Sequence, residues 1–100
     1  RNDTIELVVL FKPGSPYDGP DNITVTPHGY VLACTDGEDD QWLVGIDETG
    51  GTFPFALNPR GDDEFAGATF SADGRTLFVN IQGAPALTFA IWGPWRGHAP

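Results

Sequence analysis

Two stretches decide the fold: Asn22-Ile23-Thr24-Val25-Thr26-Pro27-His28-Gly29 and Gly67-Ala68-Thr69-Phe70-Ser71-Ala72-Asp73-Gly74. Each runs from a short segment rich in β-branched or aromatic residues into a turn that closes on glycine, the pattern of a strand entering a hairpin. Aligning them places Gly29 on Gly74, an offset of 45 residues, and puts Leu32 in register with Leu77 in the apolar run that follows. A period of about 40 to 50 residues with four short strands per unit is the signature of a propeller blade.

Working outward, the spacing predicts strands over residues 5–11, 22–26, 30–35, 42–47, 52–57, 65–71, 76–82 and 87–92. The fold class is all-β: antiparallel four-stranded propeller blades, about two blades of an incomplete β-propeller. Residues 5–11 are expected as an outer strand of a preceding blade, 22–57 as one full blade, and 65–92 as three strands of the next. Because a propeller closes on at least about four blades, the flanks of this piece are expected to lie uncovered. A homodimer through exposed blade edges, or a marginally stable monomer, follows from that exposure.

The composition agrees: 40% hydrophobic residues with 12% aromatics is globular, and 13 Gly with 9 Pro is the punctuation of short strands. A formal charge of -9 repels phosphodiester backbones and anionic headgroups, so neither nucleic acid nor a membrane is expected as partner. The chain shows no charged-then-apolar leader and no long apolar run, so no export signal or membrane span is expected within it. One cysteine excludes a disulfide within the chain, and Cys34, beside Leu32 and Ala33, reads as a small buried thiol.

Blade geometry sorts the loops onto two ends. One end collects Asp18, Asp21, Asp36, Glu38, Asp39, Asp40, Asp62, Asp63 and Glu64, nine of the 14 acids. The other holds the turns around His28, Gly50 and Gly74. Asp21, Asn22 and Glu64 stand where the innermost strands begin, and Asp36 ends a strand at the same end. Carboxylate and amide oxygens gathered without basic partners suit a hard cation such as calcium. The competing reading of Asp21-Asn22 is a turn whose side chain bonds its own backbone, and that of the loop acids is a solvated surface. The run Asp36-Gly37-Glu38-Asp39-Asp40 fails the EF-hand pattern, since Gln41 stands where that loop needs glycine and Asp47 where it needs glutamate.

Nucleophilic catalysis has little support: Ser15 and Ser71 lie among turn residues, His28 falls at the end away from the acids, and His98 is in the tail. Trp42, Trp92 and Trp95 are expected to pack between blades, with Trp95 beside Arg96 as a lesser candidate for stacking on a ligand.

Three ordered runs carry a resemblance: GPDNITVTPHGYVLAC at 19–34 with DG at 36–37, EFAGATFSADGRTLFVNIQ at 64–82, and TFAIWGPW at 88–95. Together they resemble the carboxy-terminal region of the PhoX-type alkaline phosphatases, bacterial exported propeller enzymes. The resemblance implies a phosphomonoesterase that uses calcium and iron at a channel-mouth site and acts in the periplasm or outside the cell on a phosphate monoester. It makes Asp21 and Glu64 candidate metal ligands, while Thr35 replaces an acid that family members often carry, and it assigns no iron to Cys34. The chain by itself is expected to be inactive. The rival readings are a non-catalytic, calcium-stabilised propeller scaffold or interaction module, and a calcium-dependent lactonase-type propeller drawn from Pro20-Asp21-Asn22 alone.

Overall fold

The computed structural model describes residues 3–12, 15, 17, 19–37, 40–59, 63–93 and 95. Asp18, Glu38, Asp39, Asp62 and Arg96, named above as loop acids or a stacking partner, lie outside the described residues, as does His98. Seven strands form: β1 (Pro20–Val25), β2 (Val31–Thr35), β3 (Trp42–Ile46), β4 (Thr52–Leu57), β5 (Phe65–Phe70), β6 (Thr76–Ile81) and β7 (Leu87–Trp92). They make two antiparallel meanders, a four-stranded sheet in the order β1-β2-β3-β4 and a three-stranded sheet in the order β5-β6-β7. The fold is all-β and blade-like, and the two sheets do not close a ring.

Residues 5–11, expected as an outer strand, form no strand here. A strand needs a partner for its backbone groups, and neither described sheet includes this segment. Ile5, Leu7 and Leu10 consequently stay exposed.

The sheets meet through β5, which packs against β1 and β2. Alternation along each strand sends one set of side chains into the seam. From the first sheet come Tyr30, Leu32, Cys34 and Leu43, from the second Phe65, Ala68, Leu77, Val79 and Ile81, and all are buried in one cluster.

Strand register corrects the alignment of Leu32 with Leu77. Thr24 pairs with Leu32, whereas its repeat equivalent Thr69 pairs with Phe78. The first hairpin is closed by Thr26 N–H donating to the Tyr30 carbonyl and the second by Ser71 N–H donating to the Thr76 carbonyl, so the second turn is one residue longer. A one-residue slip reverses every side chain. Leu32 therefore corresponds to Phe78, and Leu77 to Val31. The sheets stack head to tail, one face of the first against the opposite face of the second.

At the turn end the seam is fastened by aromatic groups. The His28 ring stacks on Trp95, with centroids 5.7 Å apart, and meets Phe70 edge-on. Trp95 also stacks on Phe55, and its indole N–H donates to the Arg75 carbonyl at 2.8 Å. Trp95 is buried as expected, and Trp42 lies against Tyr17. Trp92 differs, standing 72% exposed, because its register partner Thr76 turns it to the outer face of the second sheet.

Candidate metal site

At the end opposite the His28 turn, three strand boundaries converge. Asp21 lies in a β-bulge: Pro20 pairs with Thr35 and Asn22 with Cys34, which leaves Asp21 as the extra, unpaired residue. Bulges of this kind re-aim a side chain out of the sheet's regular alternation. Asn22 stays in the ladder and is exposed, one position along from the acid.

Asp36 follows β2 directly. Its N–H donates to the Gly19 carbonyl at 2.8 Å, which extends the β1-β2 ladder one step. Gly19 has φ 68°, and a Cβ there would approach the Asp36 carbonyl oxygen to 2.9 Å, so only glycine lets the two loops run this close. The loop after Asp36 is fixed from below by two buried polar residues. The Thr35 hydroxyl donates to the Gln41 Oε1 at 2.9 Å and accepts from the Trp42 N–H at 2.9 Å. Gln41 Nε2 donates to the Gly37 carbonyl at 2.7 Å, and Gly37 N–H returns a bond to Oε1 at 3.2 Å. Gln41 and Thr35 are fully buried, so these bonds hold the loop in a water-free setting.

Glu64 stands at the start of β5, where its carbonyl accepts from the Gln82 N–H at 2.9 Å. Because β5 lies against β1 and β2, Glu64 comes up beside Asp21. The outcome is a triad: one carboxylate oxygen each from Asp21, Asp36 and Glu64 lies within 4.8 Å of the other two, the first two residues exposed and Glu64 half-buried. Partial burial, then the charges of Asp36 and Asp21, hold the Glu64 carboxyl above the usual glutamate range.

Cys34 lies behind this triad, fully buried. Burial pushes its thiol up to about 11, with the Asp21 and Glu64 charges adding to the rise and a backbone hydrogen bond at Ala68 opposing it. The group is a neutral thiol at pH 7, a poor nucleophile. His28 is held at the other end of the seam. Asp40 and Asp63 are exposed and are not members of the triad, and the Asp63 carbonyl accepts from Asn58 Nδ2 at 2.8 Å.

The structure thus brings Asp21, Asp36 and Glu64 together and sets Asn22 beside them in sequence. Sequence reasoning missed the pair that positions Asp36. Gln41 entered it only as a mismatch to the EF-hand pattern, and Thr35 only as a missing acid, yet the hydroxyl and the amide hold the loop on which Asp36 sits. The available signal was a threonine and a glutamine bracketing an acidic loop.

No curated protein and no solved structure matches the chain. A family model described as alkaline phosphatase PhoX matches residues 6–85, a span that includes the bulge, the acidic triad and strands β1 to β6, and the chain belongs to the PhoX alkaline phosphatase family.

Proposed function

We propose that this chain supplies oxygen ligands for a hard cation to the centre of a PhoX-type phosphomonoesterase. The observation that carries the reading is the convergence of Asp21, Asp36 and Glu64 within 4.8 Å from three separate strand boundaries. All three donors are carboxylates, the donor chemistry of calcium, and Asn22 offers a further oxygen next to them. The same set lacks nitrogen and sulfur, so iron, implied by the family resemblance, is assigned to ligands outside the triad. When bound, the cation supplies positive charge against the phosphoryl oxygens of a monoester dianion. The chain's own contribution is to hold three acids on a bulge, a glycine-gated loop and a strand start, so that their mutual repulsion is offset only when a cation sits among them.

Substrate turnover is assigned to a complete protein acting in the periplasm or outside the cell. The chain alone binds the cation without hydrolysing phosphate monoesters. A second reading, a calcium-stabilised scaffold, is favoured by the placement of the triad at the β1/β5 seam, where a cation would tie one sheet to the other.

Calorimetric titration of the chain with calcium tests the proposal. Saturable binding is expected in the wild type and is lost in Asp21→Ala and in Glu64→Ala. A wild type that takes up no calcium contradicts it, as does binding that both variants retain. Hydrolysis of p-nitrophenyl phosphate by the isolated chain would contradict the assignment of turnover to a larger protein.

A further inference from the structure

Two of the three acids, Asp21 and Asp36, stand on backbone segments that are fastened to each other twice. The first fastening is the Asp36 N–H, which donates to the Gly19 carbonyl at 2.8 Å, two residues before Asp21. The second lies lower: two residues before Gly19, the Tyr17 ring meets the Trp42 ring edge-on, with centroids 5.7 Å apart. Trp42 in turn donates its N–H to the Thr35 hydroxyl at 2.9 Å, and that hydroxyl holds Gln41 under the loop that follows Asp36. The contacts form a closed circuit, from Tyr17 to Trp42, to Thr35 and Asp36, across to Gly19 and back along the chain to Tyr17.

The Tyr17–Trp42 contact is embedded in the first sheet. The β2-β3 ladder ends at the pair Cys34–Leu43, and the next donor along β3, the Trp42 N–H, takes a side-chain hydroxyl instead. Leu43 points into the seam, so alternation turns Trp42 and Val44 to the other face of the sheet. Val44 is 0% and Ala33 1% exposed on that face. The N-terminal run reaches it at both ends of β3. Tyr17 packs at Trp42, and the Val8 carbonyl comes up to Gly50 so closely that a side chain there would not fit. Tyr17 is also tied locally, its N–H donating to the Ser15 hydroxyl at 3.2 Å and the Ser15 N–H to the Lys12 carbonyl at 3.0 Å. An edge-on pair of aromatic rings has a directional preference that an aliphatic contact lacks.

We infer, on the reading of the triad as a cation site, that Tyr17 is a positioning residue for it: packed on Trp42, it sets the spacing of the Asp21 and Asp36 carboxylates. Repulsion between two neighbouring acids works to spread the β1 bulge from the end of β2. The aromatic contact opposes that spreading, and a cation then loses less affinity to gathering its ligands. Glu64 arrives from the second sheet, outside this circuit, so Tyr17 acts on two of the three donors.

Calcium titration calorimetry of the full chain tests the inference, at a temperature where circular dichroism shows every variant folded. Tyr17→Phe keeps the ring and should bind as wild type does. Tyr17→Ala should bind at least about fivefold more weakly, the lower end of usual coupling between sites, with unchanged stoichiometry. Where Tyr17→Ala does not fold, Tyr17→Leu, which keeps apolar cover without the aromatic pair, carries the same expectation. In calcium-free protein, hydrogen exchange of the Asp36 amide should quicken in the variant more than that of the β6 amides, which report opening of the second sheet. Equal quickening at both places marks a merely structural role and overturns the inference. A wild type that takes up no calcium removes the cation site and the role of Tyr17 together. Calcium binding that is equally tight in wild type and Tyr17→Ala overturns the role of Tyr17 alone and leaves the site standing. Equal weakening in Tyr17→Phe and Tyr17→Ala also overturns it, because the effect then belongs to the hydroxyl and not to the ring.

Discussion

His28 Nε2 lies 2.7 Å from the carbonyl oxygen of Gly74, joining the first hairpin turn of one sheet to the first hairpin turn of the other. A carbonyl only accepts, so Nε2 carries the proton. The contact closes the seam at the end away from the acidic triad, and the ring is also stacked on Trp95.

His28→Ala removes the hydrogen bond and one member of the aromatic cluster together. A loss of ~1–3 kcal/mol is expected from one partly buried bond and one aromatic contact. Urea melts of wild type and variant measure it, and an unchanged midpoint would show that the turn contact adds nothing to the fold.

Buried hydroxyls give opposite predictions at two positions. Thr35→Val deletes a donor to Gln41 Oε1 and an acceptor for Trp42 N–H within a fully buried network. Destabilisation of about 1–3 kcal/mol is expected, together with weaker calcium binding, because the Asp36 loop loses its support. Tyr30→Phe removes a buried hydroxyl that has no hydrogen-bond partner among the described residues. That change should leave stability unchanged or raise it. The denaturant midpoint should fall for Thr35→Val and hold or rise for Tyr30→Phe.

Glu64 links stability to pH. Its carboxyl is held above the usual glutamate range by desolvation first and then by Asp36 and Asp21. A raised folded-state value means that the fold favours the protonated form. Its contribution is full below the unfolded glutamate value and is lost as pH rises through the folded one. In chelator at neutral pH, Glu64→Gln should therefore melt above wild type, and the gap should close as pH falls into the carboxylate range. Added calcium should reverse the order, with affinity in the variant reduced at least about tenfold, the lower end of what losing even a supporting group costs. A wild type that melts above the variant in chelator at neutral pH would falsify the account.

Cys34 should resist alkylation. With its thiol pushed up to about 11 by burial and its side chain fully enclosed, native protein at mildly alkaline pH should take up iodoacetamide far more slowly than unfolded protein. Mass spectrometry of quenched samples reads the difference, and equal rates would place the thiol in solvent.

Leu32→Ala opens the middle of the seam. A fully buried leucine between two sheets should cost about 2–5 kcal/mol. Phe78→Ala, at the equivalent but exposed position, should cost far less in a monomer. Thermal melts at low concentration compare the two, and equal losses would mean that Phe78 is covered.

The sequence by itself determined the strands, the repeat and the family. Seven of the eight expected strands formed, with 52–57 and 87–92 matching to the residue, because alternation and glycine turns are local properties that the chain carries wherever it folds. It also showed the acids at strand boundaries, since loop position follows once the strands are placed. Tertiary structure alone decided which face each strand presents. One extra residue in the turn before β6 exchanges Phe78 for Leu77, and only the pairing partners reveal that slip. Residues 5–11 have the periodicity of a strand but no neighbour to pair with here, and hydrogen bonding, not periodicity, makes a strand. The sequence placed the three acids at one end, but the meeting of their carboxylates and the Thr35–Gln41 support beneath Asp36 came only from the fold. Asp21, Asp36 and Glu64 are distant in sequence and meet because a bulge, a glycine and a sheet-to-sheet contact bring three backbone ends to one place.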